Sequence, residues 1–155
     1  MNIPSVSYDV VDESGYFYVS AKVGCERVGE LLVDKIAVER ARLGSIEVKC
    51  DWSRRRSWRE RLKKEPLQIF DTISFRNRGI ATNLIERLAG WCSRNGVGEV
   101  FGSVVESDLK KTPRLLEWYE RRGFRICEPT DECLPESVKM VVWKSNTGGC
   151  PNAVI

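Results

Sequence analysis

The segment Arg76-Asn77-Arg78-Gly79-Ile80-Ala81 holds the most explicit chemistry in this sequence. It follows a run of strand-forming residues and opens the most regular helical pattern in the chain. At such a junction the first-turn N–H groups lack intrahelical partners and the helix dipole is positive. Gly79 lets a ligand approach the backbone, Ala81 leaves room for it, and Arg76 and Arg78 add positive charge. These are the parts of an anion site suited to a phosphate or diphosphate. The spacing is neither G-x-x-x-x-G-K-S/T nor G-x-G-x-x-G, which argues against nucleotide hydrolysis and Rossmann-type dinucleotide binding. The 155 residues include no histidine. His-dependent triads, a His general base and His-ligated metals are therefore excluded. Carboxylates, Tyr, Cys, Lys, hydroxyls, backbone dipoles or a cofactor must carry any reaction.

Two further segments bear on function. Residues 53–65 contain seven basic residues next to Trp52 and Trp58. Arginine for phosphate and indole for stacking would suit nucleic acid; an acidic protein partner or a plain solvated face are the other readings. The six cysteines, at 25, 50, 92, 127, 133 and 150, form no C-x-x-C pair, so a zinc site is not expected. They read as mostly free thiols, with Cys127 and Cys133 the first candidates for a bond. No partner base for a Cys nucleophile is visible.

These residues need a scaffold, and the length supplies one domain's worth. The charged share is 30%, the apolar share 42% and the net charge +3, which suits a globular chain and gives no overall pull toward nucleic acid or membrane. The amino terminus shows no signal-peptide pattern and no apolar run approaches the ~20 residues that span a bilayer; a cytoplasmic location is expected. Strands are expected at 5–11, 16–23, 28–38 and, more weakly, 45–50, with a turn at Asp12-Glu13-Ser14-Gly15. Leu67–Phe75 and Glu99–Glu106 read as strands around a helix from Gly79 to Asn95. In that helix Ile80, Leu84, Ile85, Leu88, Trp91 and Cys92 share one face and Gly96 is the stop. Thr112-Pro113 should open a second helix that Gly123 closes, and Ser137–Lys144 is a last strand. The expected fold is mixed α/β: an antiparallel meander, then strand-helix-strand-helix-strand with a parallel pair in the second half. Residues 1–144 form the domain, 51–65 a basic insert and 145–155 a flexible tail.

The segment Arg76–Ala81 fits R/Q-x-x-G-x-G/A position by position. Forty residues on, Thr112 to Phe124 matches the Tyr, Gly and Phe of N-x-x-A-x-x-x-Y-x-x-x-G-F. On these two motifs the chain, over roughly residues 16–144, resembles the GCN5-related N-acetyltransferase (GNAT) family. The resemblance implies transfer of an acyl group, acetyl first, from acyl-CoA to a primary amine of a protein, peptide or small molecule, with no metal. It implies that the backbone of Arg76, Asn77, Arg78, Gly79, Ile80 and Ala81 holds the CoA diphosphate. The strand near Asp71, Thr72 and Ile73 would pair with the pantetheine arm, and Thr112 would stand at the family's Asn position. Tyr119 would protonate the departing thiolate, and the amine would attack directly. Asp71 is the first choice of general base and Glu106 the second. Asp71 and Ile73 replace the family's Val and Pro, and its two helices between the first two strands are missing. The alternative function is a domain that binds acyl-CoA or a macromolecule without turnover.

Overall fold

Strands β1 (Ser7–Asp12) and β2 (Tyr16–Val23) are joined by Glu13, Ser14 and Gly15 alone, so the two helices expected to be missing are indeed replaced by a tight turn. The Glu13 N–H donates to the Tyr16 carbonyl at 3.1 Å and closes it. The computed structural model describes residues 5–48, 51–55, 70–74 and 79–145. Strands β3 (Glu26–Ala37) and β4 (Arg40–Val48) extend the meander. Strands β5 (Asp51–Arg55) and β6 (Phe70–Ser74) pair with each other in a separate two-stranded ribbon. Then come helix α1 (Ile80–Asn95), β7 (Glu99–Val105), helix α2 (Glu106–Lys111), helix α3 (Leu115–Glu120), β8 (Arg125–Cys127) and β9 (Ser137–Lys144). The main sheet has seven strands in the order β1-β2-β3-β4-β7-β9-β8. Every pairing in it is antiparallel except β4 with β7.

The α1 face forms as its 3.6-residue period demands. Ile80, Leu84, Leu88, Trp91 and Cys92 are buried and Ile85 is partly buried. They pack on the inward residues of the sheet, among them Phe17, Val19 and Ala21 of β2, Leu31 and Val33 of β3, Ala41 and Leu43 of β4, and Val100 and Val104 of β7. Gly96 ends α1 as expected, its N–H donating to the Cys92 carbonyl. Burial pushes the Cys92 thiol up to about 12, so it behaves as a small core hydrophobe. Cys25, Cys92, Cys127 and Cys133 are free, so no Cys127–Cys133 bond forms. No described helix is long and apolar enough to cross a membrane.

Two expectations need correction, and one element was not expected. The parallel pair was expected within the second half of the chain, but it is β4 with β7 and joins the meander to that half. Strand β4 is longer than expected and puts Ala41 and Leu43 into the core, while β6 satisfies its backbone against β5. The second change concerns Thr112. It is the C-cap of α2, donating its N–H to the Asp108 carbonyl at 2.9 Å, and α3 begins only at Leu115. The unexpected element is α2 itself, which has no buried residue and hence no apolar period to reveal it. The basic insert beyond Arg55 and the tail after Ser145 lie outside the described residues.

Candidate functional site

Strands β4 and β7 pair only from Arg40↔Glu99 to Leu43↔Gly102. Beyond that point Ser45–Val48 pair with β3, and Ser103–Val105 with β9. The two strands thus form a fork with facing edges that no described strand bridges. Such edges offer backbone donors and acceptors to an extended ligand that carries amides of its own. Gly102 sits at the last paired position for a steric reason. A Cβ there would lie 3.2 Å from Leu43 Cβ and 3.4 Å from Val141 Cγ2. At the closed end Arg40 donates to Glu99 at 2.9 Å and to Glu132 at 2.7 Å, and stacks over Phe101.

Helix α1 begins at the end of β4. A Cβ on Gly29 would stand 3.2 Å from both the Glu47 carbonyl and Ile80 Cγ2, so Ile80 rests directly on the β3–β4 backbone. Gly79 holds φ +73°, a left-handed value that favours glycine, and among the described residues no side chain caps the helix. The first turn carries no acidic residue. The first-turn N–H groups and positive dipole end have the chemistry that suits an anion. The Gly29→Ala variant is expected to lose about 1–3 kcal/mol by overpacking, read as a lower urea midpoint; an unchanged midpoint would show that Ile80 gives way freely.

Arg122 ties the second motif to this terminus. Its Nη2 donates to Thr82 Oγ1 at 2.5 Å, its Nη1 to the Trp118 carbonyl at 3.1 Å, and its guanidinium lies 4.0 Å from the Trp118 ring centroid. Tyr119, on α3, is only 5% exposed and meets Trp118 and Phe124 edge-on at 5.1 Å. Burial, with a smaller push from the Asp108 charge, holds its phenol well above the ordinary tyrosine range.

No protein-family model and no curated protein sequence matches the chain. Solved structures do. A GNAT-family acetyltransferase from Staphylococcus aureus superposes with TM-score 0.59 at 14% identity, covering 84% of this chain and 69% of that one. The PaiA N-acetyltransferase from Thermoplasma acidophilum, in complex with coenzyme A, gives 0.56 at 14% identity over 84% and 62%. A GNAT-family acetyltransferase from Elizabethkingia anophelis with acetyl-CoA bound gives 0.52 at 14% over 85% and 78%. This chain has the GNAT fold.

Within the GNAT fold the expected site residues separate into groups. Gly79, Ile80 and Ala81 lie at the α1 terminus, and Arg122 joins the Tyr119 helix to it. Arg76, Asn77 and Arg78 lie outside the described residues. Asp71, Thr72 and Ile73 are on β6, opposite Arg54, Ser53 and Trp52 of β5. They are not on the central strand beside the fork, and the reason for choosing Asp71 as base goes with that position. Thr112 is exposed at the α2–α3 turn, and Glu106 is an exposed first-turn residue of α2 within 3.3 Å of Lys110. Sequence reasoning missed Ser45 and Glu47, which occupy the part of β4 that does line the fork. The signal was available in the alternation Leu43, Ile46, Val48, but the Gly44 irregularity interrupts it.

Proposed function

We propose that this chain is an acyl-CoA-dependent N-acyltransferase acting on a primary amine, with acetyl as the acyl group. The observation that carries the reading is the fork between β4 and β7 with the uncapped α1 terminus at its open end. The two halves of the site suit the two halves of CoA. A diphosphate matches the orphan N–H groups at Gly79–Ala81, and the amide-bearing pantetheine arm matches the unbridged strand edges. Acyl-CoA supplies an activated thioester, so a neutral amine can form the new C–N bond as the C–S bond breaks, with no covalent enzyme intermediate. The chain's residues hold the donor, exclude water and manage two protons. Tyr119 donates a hydrogen bond, and with it a proton, to the leaving thiolate. Glu47, on the fork-lining stretch of β4 and exposed, is a better-placed acceptor for the amine proton than Asp71, acting through water.

A thermal-shift series tests this. Acetyl-CoA and CoA are expected to raise the melting temperature and NAD and ATP to leave it unchanged, because a ligand at 100 times its Kd stabilises the native state by about 2.7 kcal/mol. No shift with either CoA species overturns the reading. Binding without turnover is the second reading, and the burial of Tyr119 favours it; CoA release in the presence of amines separates the two.

A further inference from the structure

Among the described residues, strand β1 is a sheet edge of six residues, paired with β2 without a bulge. Among the described residues nothing pairs with its outer side. The opposite edge, β8, has three residues and is blunted by its shortness. An edge strand without a bulge and with apolar residues on both faces is a template for another strand. Val10 is 42% and Val11 38% exposed, and they point to opposite faces.

Charges usually protect such an edge, but here both are neutralised within the chain. Asp9 pairs with Lys22, and Asp12 accepts from Arg94 at 2.7 Å. We infer that β1 pairs antiparallel with β1 of a second copy of this chain, continuing the sheet across a two-fold axis at Val10.

The register follows from side-chain chemistry. Tyr8, Val10 and Asp12 lie on the α1 side of the sheet, because they face Ala21, Val19 and Phe17 of β2; Ser7, Asp9 and Val11 lie on the other. Opposed residues in a continuous antiparallel sheet share a face. Centring on Asp9 would oppose two aspartates. Centring on Val11 shortens the overlap. Centring on Val10 sets Val10 against Val10, Asp9 against Val11 and the Tyr8 phenol against the Asp12 carboxylate. Arg87, stacked 4.5 Å over the Tyr8 ring, then brings a cation toward the second copy's Asp12. A groove between α1 and this hairpin, with Val10 and Arg87 in its wall, opens beside the added strand. Five strand pairs bury less than the ~1,600 Å² of a standard interface, so the dimer is expected to depend on concentration. The inference does not rest on the acyl-transfer reading.

Sedimentation over a concentration series tests it. Wild type is expected to shift from one to two chain masses. Val10→Lys and Val10→Asp, each folded by circular dichroism, are each expected to stay monomeric because like charges meet on the axis; an equimolar mixture is expected to regain the doubled mass. A wild type that stays monomeric up to about 1 mM, a dimeric Val10→Lys, or folded variants that fail to pair when mixed would each overturn it. So would a monomer whose β1 amides become protected only with an unrelated extended peptide.

Discussion

Trp91→Ala is expected to lower folding stability by about 3–5 kcal/mol, the largest single-residue loss in the described core. Its indole is fully buried and stacks on Phe17 with centroids 5.7 Å apart and planes 20° from parallel. The same side chain donates from Nε1 to the Glu13 carbonyl at 3.0 Å. One residue therefore holds α1 to the sheet and to the turn that stands in place of two helices. Because domains are stable by only about 5–15 kcal/mol, the loss would consume much of the total. Trp91→Phe separates the contributions. It keeps a ring against Phe17 and forfeits the hydrogen bond, worth about 0.5–1.5 kcal/mol, plus some packing. Urea unfolding of both variants should rank alanine far below phenylalanine. Equal losses would mean that the bond to Glu13, not the stacking, secures α1.

What could be read from the sequence was what local chemistry specifies. The α1 face was legible because five buried residues recur at helical spacing and Gly96 stops the run. The strand Ser137–Lys144 was legible in its bounds because Val138, Val141 and Val142 sit in a β-branched run. The identity of the central strand was not legible. Arg40-Ala41-Arg42-Leu43-Gly44 looks polar in isolation, since its arginines face away from the core that Ala41 and Leu43 enter. The run before Arg76 looks more strand-like and is closer to α1 in sequence. Which strand pairs with β7 is decided by long-range burial, and no local pattern records it. The same holds for the site. The glycine at the α1 start was legible as a backbone requirement. The fork was not, because it is a place where pairing stops, after Leu43↔Gly102, and no local pattern marks where a long-range strand pair ends. Arg122 was invisible for the same reason: it matters through Thr82, forty residues away.

Tyr119→Phe tests whether the buried phenol serves the reacting sulfur. If Tyr119 serves the leaving thiolate, the variant is expected to lower kcat by about 100-fold, the low end of general-acid effects, with acetyl-CoA affinity by calorimetry unchanged. The low end is expected because burial holds the phenol above its ordinary range, so proton donation to a thiolate whose conjugate thiol has a pKa of about 8.5 is uphill. A hydrogen bond to the developing thiolate then carries more of the effect than full transfer. The same burial gives a stability signature. The folded-state pKa is raised above the unfolded value of about 10, so folding favours the neutral phenol. Its contribution is complete below about pH 10 and is lost as pH rises further, because the unfolded chain ionises first. Tyr119→Phe removes that loss, and the variant should resist alkaline unfolding better than wild type. The two measurements are independent. A variant that resists alkali and keeps full kcat would leave Tyr119 a core aromatic with no proton to give. A fall in kcat matched by a fall in affinity would make it a residue that positions the donor. Only the split, with kcat down and affinity intact, assigns the hydroxyl to the reacting sulfur.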